Sequence, residues 1–236
     1  MSVQVAILAG GLATRLRPLS LEKPKSMFVI CGRPFLAYQL EFLAAQGLRD
    51  ILLCTGYLGE RIEAYFRDGA SFGARLQYSR EEGVLLGTAG ALKKAGPLLA
   101  DEFFVMYGDS YLSVDFAAVH RYFKKFDKTA LMTVFKNNNR YGRSNVALAG
   151  NLVAGYSKNK PAESMIYIDY GVMLFRKSVL DLIPAGEFHP LEEVLTKLAG
   201  GREMLAYEVP ERFYEVGSWR GLAEFRRFIA GKKGLK

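Results

Sequence analysis

Near the amino terminus a near-continuous apolar run, Val3 to Ala9, stops at Gly10-Gly11 and gives way to Thr14, Arg15 and Arg17. No other stretch constrains the fold as much. A run that apolar reads as a strand buried on both faces, and such strands belong to sheets covered by helices. The two glycines that follow carry no side chain, so a ligand can approach their backbone and meet their N–H groups. Thr14 adds a hydroxyl, Arg15 and Arg17 add fixed positive charges, and Lys25 adds another. A strand end, a bare loop and converging cations suit a polyphosphate.

The first half of the chain alternates between strand and helix patterns. Strands are predicted at Val3 to Ala9, Ile51 to Thr55, Arg75 to Ser79, Phe103 to Tyr107 and Ala130 to Phe135. Helices are predicted at Pro34 to Gln46, Glu60 to Phe66, Thr88 to Ala95 and Phe116 to Phe126. This order predicts a Rossmann-like, three-layer α/β/α sandwich with a mostly parallel central sheet. Ligands in such sheets sit at the carboxyl ends of strands, where Gly10-Gly11 and Gly108-Asp109 both fall. The second half changes character. Val146 to Leu148 and Leu152 to Gly155 flank a hairpin-like turn, Ala149-Gly150-Asn151. Ile166 to Phe175 reads as a strand pair or one long bent strand with Gly171 inside it. Leu191 to Leu198 (helix), Leu205 to Val209 (strand) and Trp219 to Ile229 (amphipathic helix) complete the chain.

The 236 residues suit one α/β domain. A net charge of +8 favours anionic partners. No stripe of interleaved basic and aromatic residues marks a nucleic-acid surface. The two cysteines, Cys31 and Cys54, form no CxxC and suggest neither a disulfide framework nor a zinc site. No signal peptide and no membrane span are recognised, so a soluble cytoplasmic protein is expected, as monomer or homodimer. His120 and His189 fall in no sequence motif with cysteines or carboxylates.

The segment Gly11-Leu12-Ala13-Thr14-Arg15-Leu16-Arg17-Pro18, followed by Pro24-Lys25, resembles the G-x-G-T-R-L-x-P … P-K motif of the sugar-1-phosphate nucleotidyltransferases, or NDP-sugar pyrophosphorylases. The departure is Ala13, where the family usually has glycine. Alanine resists a strongly positive φ, so a somewhat different loop shape is expected here. The resemblance implies a GT-A-like nucleotidyltransferase fold over residues 1–236, with 1–135 as the nucleotide-binding half and 136–236 as the sugar-phosphate-binding half. It also implies a reaction in which a sugar 1-phosphate oxygen attacks the α-phosphorus of an NTP, releasing pyrophosphate. Arg15 and Lys25 are then the catalytic cations, on the β/γ-phosphates and the α-phosphate respectively. Leu8, Ala9, Gly10, Gly11, Ala13, Thr14, Arg15, Glu81, Gly87 and Thr88 are the nucleotide-binding candidates.

Gly108-Asp109 matches the family's metal-binding G-D, with Asp109 holding Mg²⁺. Glu215, in Tyr214-Glu215-Val216-Gly217-Ser218, occupies the slot of the family's second metal-binding acid, where Asp-x-Gly-Thr is common. Glu81 to Gly90 resembles the base-reading segment. There Gly87 and Gly90 allow close backbone approach, Thr88 is a candidate helix N-cap, and Glu81 offers a carboxylate to the N1–H and N2–H₂ donors of guanine. Asn145, Lys158, Asp169, Tyr170 and Gly171 are candidates for the sugar phosphate. Ser157 stands where a glutamate is usual. The stretch Gly108 to Leu112 looks most like bacterial heptose-1-phosphate guanylyltransferases. A guanylyltransferase for a heptose or mannose 1-phosphate is therefore expected, serving cell-surface polysaccharide precursors, ahead of a cytidylyl- or uridylyltransferase. A glycosyltransferase using an NDP-sugar is the rival, but Asp109-Ser110-Tyr111 stands where a D-x-D would be needed. A non-catalytic nucleotide-binding regulator would have no need to retain Lys25 and Asp109.

Overall fold

The computed structural model describes residues 3–233. The main sheet has nine strands: β1 (Gln4–Leu8), β2 (Asp50–Thr55), β3 (Arg75–Arg80), β4 (Glu102–Tyr107), β5 (Ala130–Lys136), β6 (Val146–Ala149), β7 (Leu152–Tyr156), β8 (Tyr167–Arg176) and β9 (Met204–Glu208). Their spatial order is β3-β2-β1-β4-β8-β5-β9-β7-β6. Among the described residues, six longer helices accompany them: α1 (Phe35–Ala45), α2 (Gly59–Phe66), α3 (Gly87–Ala95), α4 (Phe116–Phe123), α5 (Leu191–Gly200) and α6 (Trp219–Lys233).

Strand alternation separates two apolar cores. Along β4, Phe103 and Val105 face one core, which α3 and α5 cover with Leu92, Ala95, Val194 and Leu195. Phe104 and Met106 face the other, which α1, α2 and α4 cover with Leu40, Ile62, Phe66 and Phe116. Period-2 alternation in the strands and a helix on each side produce this arrangement.

The expectation of a mostly parallel sheet holds only for part of it. β3, β2, β1 and β4 run parallel, as do β5 and β9. β8 is antiparallel to both β4 and β5, and β7 is antiparallel to β6 and β9. The sheet is mixed because β6 and β7 are joined by a tight turn, which forces antiparallel pairing. β8 likewise enters the centre of the sheet against the direction of β4. It is one long strand, and its register against β5 shifts between Asp169 and Met173. Gly171 lies in that shift at φ +100°.

A third apolar cluster lies outside the sheet. Leu16, Phe28, Phe35, Tyr38, Tyr111, Val216, Leu222 and Phe225 join α6 to the loops that carry Arg15, Lys25, Asp109 and Glu215. Phe225 is fully buried, and its ring meets Phe35 edge-on at 5.0 Å and Tyr111 at 5.1 Å. This cluster holds four otherwise separate loop segments in fixed relation.

Candidate active site

The strand order reverses between β1 and β4, and a cleft of about 470 Å³ opens at their carboxyl ends. Leu8, Ala9, Gly10, Gly11, Ala13, Thr14 and Arg15 line it from one strand end, and Gly108 and Asp109 line it from the other. Glu81, Gly87 and Thr88 line its far end, and Lys25 joins from the following loop. The residues placed together by the sequence are together in space.

Gly10 and Gly108 are tight fits. A methyl on Gly10 would stand 2.8 Å from Glu81 Oε2, and one on Gly108 would stand 2.8 Å from the Leu8 carbonyl oxygen. Gly11 has open space around it. Ala13 departs from what its side chain suggests. Its φ is 52° and ψ 39°, in the left-handed region. The loop therefore keeps a glycine-like shape with alanine in place, at a cost of about 1 kcal/mol. That residue precedes the single turn Thr14–Leu16, which presents Arg15.

Lys25 Nζ lies 2.5 Å from Asp109 Oδ2. Burial pushes the Asp109 carboxyl up. The Lys25 ammonium, the Ser110 hydroxyl and the Arg15 charge more than offset this and hold it below the usual carboxylate range. Asp109 is braced from behind by Gln39 of α1, which is 1% exposed. Gln39 Nε2 donates to the carbonyls of Tyr107 (3.0 Å) and Ser110 (2.7 Å), gripping the Gly108-Asp109 turn on both flanks.

Glu215 is brought alongside by a two-residue antiparallel ladder, Ser110–Tyr111 against Tyr214–Glu215, and by Val216 N–H donating to the Asp109 carbonyl at 2.8 Å. A methyl on Gly217 would stand 2.9 Å from Glu215 Oε2, 3.2 Å from Asp109 Oδ2 and 3.3 Å from Arg15 Nη2. Two carboxylates and a guanidinium thus converge on a point that only glycine leaves open. Glu215 also accepts from Gly217 N–H at 2.5 Å and from the Ser218 hydroxyl. Its longer side chain folds toward the start of α6, into space that a side chain on Gly221 would fill. Among the described residues no group of three or more His, Cys, Asp or Glu could hold a metal. Two hard oxygen ligands, with phosphates and water completing the shell, fit Mg²⁺.

Glu81 is buried, and its Oε1 accepts from Leu86 N–H at 2.6 Å. Burial raises its carboxyl, against the lowering effects of that N–H and of Lys94. Gly87 and Gly90 were expected to make room for a ligand. Gly87 lines the cleft, and both also make room for protein: methyls there would stand 2.8 Å from the His189 carbonyl oxygen and 2.9 Å from that of Glu187. Nor does Thr88 cap α3. Leu86 occupies the N-cap, and the Thr88 hydroxyl accepts from Leu191 N–H at 2.8 Å.

Asn145, Lys158 and Asp169, the sugar-phosphate candidates, meet two tyrosines that sequence reasoning missed. Tyr107 and Tyr156 each donate a hydroxyl to Asp169 Oδ2 at 3.3 Å. Lys158 Nζ donates to the Tyr107 hydroxyl at 3.2 Å and stands 4.7 Å from its ring centre. Asn145 Oδ1 accepts from Asp169 N–H, and Asp169 Oδ1 accepts from Gly171 N–H, both at 2.9 Å. Burial holds the Asp169 carboxyl above its usual range, against the opposing effects of Lys158, Gly171 N–H and the phenols. Tyr170 does not join them. It is 1% exposed on the opposite face of β8, and its hydroxyl accepts from Ser113 N–H at 3.1 Å. Neighbouring residues in a strand face opposite ways, so Asp169 and Tyr170 cannot share a site. Beside Lys158, Glu192 of α5 accepts from Lys158 N–H at 2.8 Å and from Asn159 Nδ2 at 3.2 Å. It places a carboxylate next to Ser157, where the sequence itself lacks one.

Gln39 had a sequence signal: it is a lone amide among the apolar residues of its helix. Tyr107 and Tyr156 had none, because a tyrosine at a strand end reads as core.

Residues 4–232 match the family model described as Nucleotidyl transferase. The chain is 31% identical over 218 residues to the D-glycero-alpha-D-manno-heptose 1-phosphate guanylyltransferase of Campylobacter jejuni, covering 91% of this chain and 95% of that one. It is 30% identical over 207 residues to the UTP–glucose-1-phosphate uridylyltransferase of Synechocystis, covering 80% of this chain and 53% of that one. The chain thus spans about half the length of the Synechocystis relative. Among solved structures, HddC from Yersinia pseudotuberculosis complexed with GMP-PN superimposes with a TM-score of 0.80 at 26% identity, covering 96% of this chain and 99% of that chain.

Proposed function

The chain belongs to the nucleotidyl transferase family, and from that premise we propose that it joins an NTP and a sugar 1-phosphate into an NDP-sugar with release of pyrophosphate. The observation that carries this reading is the convergence of Arg15, Lys25, Asp109 and Glu215 where β1 and β4 end. In such a transfer the protein's task is alignment and neutralisation of charge. Arg15 offers a planar fork to the β/γ-phosphates. Lys25, now on Asp109, would meet the α-phosphate and the incoming sugar phosphate and screen their mutual repulsion. Asp109 and Glu215 would hold Mg²⁺, which supplies further charge neutralisation when bound. The Tyr107–Asp169–Lys158 group would receive the sugar phosphate, Lys158 on the phosphate and Asp169 on ring hydroxyls.

Guanine is the favoured base. Glu81 offers a carboxylate to its N–H donors, and relatives that match over nearly their full length include a heptose 1-phosphate guanylyltransferase and HddC complexed with GMP-PN. A heptose or mannose 1-phosphate is the corresponding second substrate. A uridylyl- or cytidylyltransferase is the second reading, favoured by the uridylyltransferase relative.

Pyrophosphate release across four NTPs and a panel of sugar 1-phosphates, with and without Mg²⁺, tests the proposal. Strongest turnover with GTP and a heptose or mannose 1-phosphate is expected. No release from any pair would refute the enzyme reading, and full activity in excess chelator would remove the metal role of Asp109.

A further inference from the structure

Phe188 is 67% exposed, yet it lines the same cleft as Gly10, Arg15 and Glu81. It is not a loose loop residue. His189 N–H donates to the Leu86 carbonyl at 2.8 Å. The His189 carbonyl accepts from Ala89 N–H at 2.9 Å and Gly90 N–H at 3.2 Å. Gly87 and Gly90 leave the space that lets this backbone lie so close. The Gly87-Thr88-Ala89-Gly90 segment therefore serves as a dock for residues 187–191, and the dock fixes where Phe188 projects.

The ring stands at one end of the cleft. Its Cε2 atom is 3.2 Å from where a methyl on Gly87 would be. Arg15, Lys25 and Asp109, the groups that would grip phosphates, define the other end. We propose that Phe188 stacks on the base of the bound nucleoside triphosphate, a role that rests on the function proposed above. A phenyl ring held in water by a fixed backbone gains by burial against a flat π surface. Stacking is indifferent to the base's hydrogen-bonding edge. Phe188 thus contributes affinity for any NTP, while choice among bases falls to groups such as Glu81.

Steady-state kinetics of Phe188→Ala and Phe188→Leu test this, alongside fluorescence of Phe188→Trp. Because Trp219 is the chain's one tryptophan, Phe188→Trp in a Trp219→Phe background carries a single reporter. In Phe188→Ala the KM for NTP is expected to rise about tenfold. The rise should be similar for the preferred and a disfavoured NTP, with the KM for sugar 1-phosphate and the melting temperature little changed. Phe188→Leu should lose most of the same affinity, since it keeps apolar bulk without a ring. NTP, but not inorganic tripolyphosphate, should quench the tryptophan reporter. An NTP KM within twofold of wild type, a rise confined to the sugar phosphate, or equal quenching by tripolyphosphate would overturn the stacking role while leaving the enzyme reading intact. A wild-type protein that neither binds an NTP nor releases pyrophosphate would remove both.

Discussion

Lys25 and Asp109, 84 residues apart in sequence, meet at 2.5 Å across the ends of β1 and β4. The lysine that would face the α-phosphate and the carboxylate that would hold the metal are each other's counter-ion in the unliganded protein. Neither charge is solvated alone, and each has a partner to exchange for when substrate arrives.

Lys25→Ala and Arg15→Ala are expected to lower kcat/KM at least 10²-fold, through loss of charge stabilisation in the transition state. Both variants should stay folded, since the two cations lie on loops supported by the aromatic cluster beneath them. Pyrophosphate release combined with circular dichroism checks this. Wild-type rates in either variant would remove its role.

The Lys25–Asp109 pair also sets a pH dependence. The Asp109 carboxyl titrates below its ordinary value in the folded protein. Its contribution to stability is therefore complete above the ordinary carboxylate pKa of about 4 and is lost as pH falls through the lower folded value. Asp109→Asn should flatten that part of the acid limb in a denaturation series, and an unchanged limb would show that other carboxylates govern it.

Glu81 has the opposite sign. Its carboxyl is raised by burial, so ionisation opposes folding as pH climbs through and above the ordinary range of about 4.3. Glu81→Gln retains an acceptor for Leu86 N–H and removes that cost. The variant should be more stable than wild type at pH 7, the gap closing toward pH 4, while its KM for GTP rises about tenfold from loss of a charged hydrogen bond to guanine. Chemical denaturation at several pH values, run with GTP kinetics, separates the two effects.

Ala13→Gly should stabilise the protein. The native φ of 52° strains alanine but not glycine. Part of that gain is offset by the greater freedom of glycine in the unfolded chain, leaving a net of about 0.5 kcal/mol. Urea denaturation measures it, and a destabilised variant would contradict the left-handed conformation.

Tyr107→Phe removes the hydroxyl shared by Lys158 and Asp169. The KM for sugar 1-phosphate should rise about tenfold, in line with a hydrogen bond to charged groups, with the KM for NTP within twofold. Tyr170→Phe is the contrast. Its hydroxyl is bound to Ser113 on the opposite face, so it should cost about 1 kcal/mol of stability and leave both KM values alone. Equal kinetic effects of the two would mean that Tyr107 acts only through stability.

The site was legible where its residues are contiguous. An apolar strand, a glycine pair and the Thr14-Arg15 turn are neighbours in sequence, so local chemistry announces the proposed polyphosphate cradle, and Asp109 announces itself by ending a buried strand. The alternation in the first half likewise declared its parallel strands. What depends on long-range pairing was hidden. The antiparallel insertion of β8, the Gln39 brace, the hydroxyl of Tyr107 on Asp169, and the carboxylate that Glu192 brings beside Ser157 join segments far apart in the chain. The glycines of the Gly87–Gly90 segment show the limit most directly. Sequence marks them as places of close approach, but only packing of the whole chain decides that what approaches is the backbone of residues 187–189. Local pattern fixes which groups are available; the tertiary fold fixes which of them face one another.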